Sequence, residues 1–234
     1  MLKNIKKSLQ GLKNPKKAVV LQRFFKTRKG EYGEGDVFLG IAVPLQRIIA
    51  KKYYQELSFD DQHKLLINKI HEYRLTALFC LVLQFQKGDE KKRKATYEFY
   101  LRHTKGINNW DLVDLSAPNI VGAFLLDKKE RSVLYKLARS KNIWEKRIAM
   151  LATYQFIKNN NFDDAINIAE ILLRDKHDLI HKAVGWMLRE IGKRNQKTEI
   201  EFLKKYHKQM PRVMLRYAVE KFSEKQKTAF LSNK

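Results

Sequence analysis

Lys182-Ala183-Val184-Gly185-Trp186-Met187-Leu188-Arg189-Glu190-Ile191 places apolar side chains at 184, 187, 188 and 191. This is the three- and four-residue spacing of one face of an α-helix. The spacing returns in Ile148, Leu151, Ala152 and Phe156, and no run of useful length alternates with period two. Only 4 Pro and 10 Gly interrupt the 234 residues, so the chain reads as helix nearly throughout. The clearest irregular stretch is Lys29-Gly30-Glu31-Tyr32-Gly33-Glu34-Gly35-Asp36. It lacks the Lys-Ser/Thr ending of a phosphate-cradling loop and follows no strand.

Working outward from 182, comparable helices open at basic heads. Arg74 leads LTALFCLVLQ, Arg147 leads IAMLATYQF, Lys182 leads AVGWMLREI and Arg212 leads VMLRYAVEK. A further helix opens at Trp110, and the successive steps are 36, 37, 35 and 30 residues. That is close to the period of HEAT or armadillo helical pairs. Such pairs bury a core only when stacked, which gives a solenoid with a concave face. The expectation is therefore an all-α, HEAT-like or armadillo-type helical-repeat solenoid, its concave face basic. It forms one domain over 1–234, with a polar tail that frays after about residue 222. Segment 88–94, GDEKKRK, reads as a charged loop before a helix from Ala95 to His103.

Lys plus Arg number 48 and Asp plus Glu 25, a formal net charge of +23. Such a chain binds polyanions, nucleic acid before membrane. No window approaches the ~18 consecutive apolar residues of a membrane span, and the basic N-terminus lacks the apolar core of a secretory signal. The lone Cys80 lies among Leu78, Phe79, Leu81 and Val82 and reads as a buried small hydrophobe. His177 and His181 have a zinc-compatible spacing, but no further ligand motif accompanies them, so no metal and no cofactor is expected.

Asn108-Asn109-Trp110-Asp111-Leu112-Val113-Asp114 sets Trp110 and Asp114 four apart, on one face of a helix. Two readings follow. Trp110 can join Val113 and Ala117 in an inward stripe, leaving Asp114 a surface charge. Alternatively, Trp110 and Asp114 form an aromatic plate beside a carboxylate in a DNA-binding protein. Asp111 is turned ~100° away and reads as a first-turn acid favoured by the helix dipole. Trp186 likewise reads as either core or site, and Trp144 as structural.

GDVFLGIAVPLQRIIAKKY (35–53), NNWDLVD (108–114), WEKRIAM (144–150) and HKAVGWMLREIGK (181–193), in this order, resemble the AlkD-type DNA alkylation repair glycosylases. The resemblance implies a HEAT-like solenoid holding duplex DNA. It also implies excision of cationic alkylated purines, 7-methylguanine and 3-methyladenine, by cutting the N-glycosidic bond without a deep base pocket. It assigns Asp114 as the catalytic carboxylate, with Trp110 and Trp186 as aromatic cleft residues. Arg147 and Arg189 become phosphate-gripping arginines. Lys182, Arg212 and Phe24 complete the expected DNA contacts. The chain departs from the family near Gln22-Arg23-Phe24-Phe25, where a tyrosine is common, and its Gly-rich loop is longer than in some members.

A purine alkylated at N7 or N3 is already cationic, so its departure needs no general acid. Positive charge then develops on the sugar, as in other glycoside hydrolysis. One carboxylate near C1′ stabilises it and can hold the attacking water. The expected enzyme is a monofunctional glycosylase without a lyase step, acting in base excision repair as a monomer on alkylated duplex DNA in the cytoplasm, at the nucleoid. The rival readings are a non-catalytic HEAT-repeat binder of branched or damaged DNA and a scaffold for acidic partners.

Overall fold

The computed structural model describes residues 1–232. Among them the backbone is helical apart from turns, loops and a single parallel bridge between Val37 and Ile70. The chain divides into two compact units, Met1–Ser116 and Ala117–Lys234. The all-α class inferred from apolar spacing is what the backbone shows.

In the first unit the helices are α1 (Leu2–Gln10), α2 (Pro15–Phe24), α3 (Val43–Tyr53), α4 (Phe59–Leu66), α5 (His71–Lys87), α6 (Glu90–Arg102) and α7 (Trp110–Ala117). Helix α5 is the axis of the core. Tyr73 through Leu81 are buried without a break, the polar Arg74 and Thr76 among them, and α3, α4 and α6 pack on it. Burial pushes the Cys80 thiol up to about 12, so it stays protonated and inert. The Ser58 hydroxyl accepts from Asp61 N at 3.1 Å and opens α4. Helix α6 starts at Glu90, five residues before the expected Ala95, because the Asp89 carboxylate caps it by accepting from Lys92 N at 2.8 Å.

The long connection between α2 and α3 is pinned at both ends. Val37 N donates to Lys69 O at 3.0 Å and His71 N to Val37 O at 2.9 Å, tying the loop to the head of α5. Gly33 lets the chain pass close under Phe25. A Cβ there would stand 2.4 Å from Phe25 O, a distance no side chain tolerates.

The second unit opens with a π-helical turn, Pro118–Gly122. It continues through α8 (Ala123–Leu125), α9 (Ser132–Ala138), α10 (Ile143–Ala152), α11 (Tyr154–Lys158), α12 (Asp163–Leu172), α13 (Asp178–Gly192), α14 (Gln196–Tyr206), α15 (Arg212–Ala218) and α16 (Glu224–Leu231). Its core lies along α10 and α13, through Ile148–Ala152 and Ala183, Val184, Met187, Leu188 and Ile191. Trp144 is buried within it. Helix α15 crosses α13 at Gly185, where a Cβ would meet Met214 O at 2.4 Å. The expectation of a frayed tail is corrected: residues 224–231 form α16. The Ser223 hydroxyl and Gln226 side chain make a reciprocal capping box at its start, and Phe230 packs against His207 and Phe222.

Candidate DNA-repair site

Helix α7 begins where Asn109 Oδ1 accepts from Trp110 N at 2.8 Å. One side of the helix is core, with Leu112, Val113, Ser116 and Ala117 all buried. Trp110 and Asp114 are half-buried on the other. The inward-stripe reading thus holds for Val113 and Ala117 but not for Trp110. The indole lies flat on Phe25, centroids 5.2 Å apart and planes at 14°, and Phe24 meets it edge-on at 5.9 Å. Aromatic pairs of this geometry favour a fixed ring over a mobile one. Phe25 is buried, whereas Phe24, the residue expected at DNA, is 61% exposed. The Asp114 charge reaches Tyr100: burial, and less strongly that carboxylate, push the phenol above its ordinary range, against a hydrogen bond to Ser116.

Below Trp110 lies a polar network that the sequence reading missed. His71 Nδ1 is 3.1 Å from Asp36 Oδ2 and its Nε2 is 2.8 Å from Asp111 Oδ2. Arg74 Nη2 donates to Asp36 Oδ2 at 2.6 Å, and Asn109 Nδ2 to the same oxygen at 3.4 Å. Asp111 also accepts from Leu112 N at 2.9 Å, so it is both the first-turn acid expected and an anchor of α7. His71 and Asp111 border a largely apolar cavity of about 230 Å³, with Leu21, Phe25, Phe38 and Leu75 on its walls. No sequence signal marks this network, because Asp36, His71 and Asp111 are 35 and 40 positions apart.

In the second unit, α13 carries the other expected residues. Trp186 is half-buried, donates through Nε1 to Glu190 Oε1 at 3.2 Å and tilts against Tyr154 at 6.4 Å. Arg189 is held by Glu220 and lies 3.9 Å from Glu190. Lys182 pairs with Asp178 at 2.6 Å from a side chain that is 38% exposed. Exposed Arg212 donates to Leu231 O at 3.0 Å. Arg147 is only 5% exposed and donates to Leu179 O. Arg74 is also buried, so the recurring basic heads are not uniformly a surface ridge. Two of them fasten the core and two face solvent. A second cavity, about 710 Å³, is lined by Arg139, Lys146, Arg174 and Lys176 together with Asp175 and His177. These cations were not singled out in the sequence.

The sequence model of the family described as DNA alkylation repair enzyme matches residues 5–222. The chain belongs to this family. The family's fold is seen in the structure of a "Predicted DNA alkylation repair enzyme from Enterococcus faecalis". That chain is 18% identical, with a TM-score of 0.69, and the match covers 91% of this chain and 97% of that one. No match is found among curated proteins. Membership in the DNA alkylation repair family accounts for the high positive charge, since the substrate is a polyanion. No helix among the described residues is long and apolar enough to cross a membrane.

Proposed function

We propose that this DNA alkylation repair protein is a monofunctional DNA glycosylase. It hydrolyses the N-glycosidic bond of cationic alkylated purines, 7-methylguanine and 3-methyladenine, in duplex DNA. The observation that carries the reading is the two-sided character of α7: its inner side is core, and its outer side offers one indole and one carboxylate four residues apart. A buried carboxylate would cost much of its charge, and a fully exposed one would be screened by water. A half-buried one keeps both charge and field.

In this proposal Asp114 faces the sugar as positive charge moves from the departing base to C1′, and orients the water that attacks. Trp110, held flat by Phe25, covers the sugar edge. Its electron-rich face attracts developing positive charge by ~0.5–2 kcal/mol, and its bulk keeps solvent out. Trp186 is assigned its part, that of an aromatic cleft residue, by the resemblance alone. Arg189, Lys182 and Arg212 take phosphates, Arg189 after exchanging Glu220 for a phosphate oxygen. Arg147 is assigned a phosphate by the resemblance alone. The substrate's own charge replaces the general acid, so normal bases and neutral lesions react poorly.

The test is single-turnover base release from duplex DNA containing 7-methylguanine, with wild type and Asp114→Asn. A carboxylate ~4 Å from the developing charge, at an effective dielectric of ~20, stabilises it by up to ~4 kcal/mol. At half a charge this is ~2 kcal/mol, so the variant loses ~30- to 1,000-fold in rate, with DNA affinity retained. Wild-type protein that releases no base while binding junction DNA tightly would instead be a non-catalytic binder.

A further inference from the structure

We propose that His71 is a positioning residue for the reaction: as a buried imidazolium clamped between Asp36 and Asp111, it sets the start of α7 and thereby the placement of Trp110 and Asp114. The proposal rests on the glycosylase reading for its kinetic consequence, but its structural part stands on the free protein.

The geometry supplies the charge state. Both ring nitrogens of His71 face carboxylate oxygens at hydrogen-bond distance, 3.1 Å to Asp36 and 2.8 Å to Asp111. A neutral imidazole has one N–H and serves one carboxylate only, whereas an imidazolium has two and serves both. The balance of charge agrees. Asp36 and Asp111 are offset by Arg74 and His71⁺, and the neighbouring Glu72 is held by three backbone N–H groups, so a neutral ring would add to the net negative charge of a site where His71, Asp36, Glu72 and Arg74 are all buried. The ring is also fixed by packing: it stacks on Phe38 at 4.5 Å and tilts on Phe25 at 5.0 Å, the two phenyl rings themselves 5.0 Å apart.

The groups facing His71 come from each element around it. The loop contributes Asp36. Helix α5 contributes Arg74, whose Nη2 lies 3.5 Å from Nδ1 and opposes protonation. It also contributes Glu72, whose carboxylate is occupied by the backbone N–H groups of Leu39, Gly40 and Ile41. Helix α7 contributes Asp111, and α2 contributes Lys17 to the lining of the shared cavity. Burial works against the charged ring. The Asp111 charge and the hydrogen bonds to Asp111 and Asp36 outweigh it, holding the imidazole above its ordinary value against Arg74.

The linkage to the site is short. Asp111 is the residue after Trp110, and Phe25 touches both His71 and Trp110, stacking flat on the indole. When the pH rises through the raised His71 value, one N–H is lost. Asp36 keeps Arg74 and Asn109 as donors, whereas Asp111 keeps the N–H of Leu112 in its own helix, so loss of the Nε2 proton unties the head of α7 from α5. A displacement on the scale of ~1 Å at a reacting centre costs up to ~100-fold in rate.

The experiment follows the side-chain nitrogen resonances of His71 and the indole N–H of Trp110 by NMR in the full chain as pH is raised. It uses wild type, His71→Gln, Asp111→Asn and, as a control at an exposed ring, His63→Gln. Trp110→Phe assigns the indole signal. The expected result is a doubly protonated His71 ring near neutral pH, with Trp110 shifting at the same midpoint. That Trp110 transition is absent in His71→Gln and Asp111→Asn and preserved in His63→Gln. Single-turnover release of 7-methylguanine falls ~10- to 100-fold through the same midpoint. Should His71→Gln not fold, Asp111→Asn carries the test, since the Asp111 side chain is 16% exposed. A singly protonated His71 at neutral pH, or a Trp110 signal that ignores its titration, overturns the proposal. Linked spectra with no base release at any pH uphold the clamp and reject the glycosylase reading.

Discussion

Glu199 permits a quantitative prediction, because its burial contradicts its charge. It lies in the first turn of α14, where the helix dipole favours a carboxylate, yet it is 1% exposed and its Oε1 has no hydrogen-bond partner. Burial raises its pKa from 4.5 to about 8, with Arg189 pulling the other way. The native protein therefore keeps a proton on Glu199 that the unfolded chain releases in the ordinary carboxylate range. The stability this contributes is complete below the unfolded value and is lost as pH climbs towards the folded one. At ~1.4 kcal/mol per unit the full loss is ~5 kcal/mol, of which ~3 kcal/mol is gone by neutral pH. Glu199→Gln keeps the shape and removes the titration. Urea unfolding of both proteins from about pH 5 to about pH 8 checks the difference. The variant is expected to gain on wild type steadily across that range, by a few kcal/mol in all. Two curves that run parallel within ~0.5 kcal/mol would show that Glu199 ionises freely in the fold, and the argument from its burial would be wrong.

Other outcomes follow from the same structure. Glu220→Gln removes the negative charge that now pairs with Arg189 and should tighten DNA binding by ~2- to 5-fold, the scale of an exposed ion pair, as read by fluorescence anisotropy. Lys182→Ala and Arg212→Ala should each lower the slope of log affinity against log salt by ~0.9 if each holds one phosphate. An unchanged slope would place that side chain away from DNA. Gly185→Ala forces a methyl against the backbone of α15 and should destabilise by ~1–3 kcal/mol, lowering Tm by several degrees in a thermal melt, at ~2–4 °C per kcal/mol.

Much of this protein was legible in its sequence. Helix spacing is a local property, so the all-α class and the buried setting of Cys80 could be read from neighbours in the chain. Family membership was legible from ordered motifs. The tail was misread because polar composition alone hides a cap, whereas Ser223 and Gln226 three residues apart satisfy each other's backbone and start α16. Charge in sequence does not say where a long side chain ends, so the burial of two of the four basic heads was not legible. Arg74 and Arg147 turn inward to carbonyls at 68, 69 and 179.

By itself, the order of residues determined that α7 would carry Trp110 and Asp114 on one face, since four residues make about one helical turn. Only the tertiary structure decided that this face would be half-buried, that Phe25 would lie flat on the indole, and that His71 would join Asp36 to Asp111. Those contacts unite segments dozens of residues apart, and hydrogen bonds and ring stacking act over a few ångströms, whatever the separation along the chain.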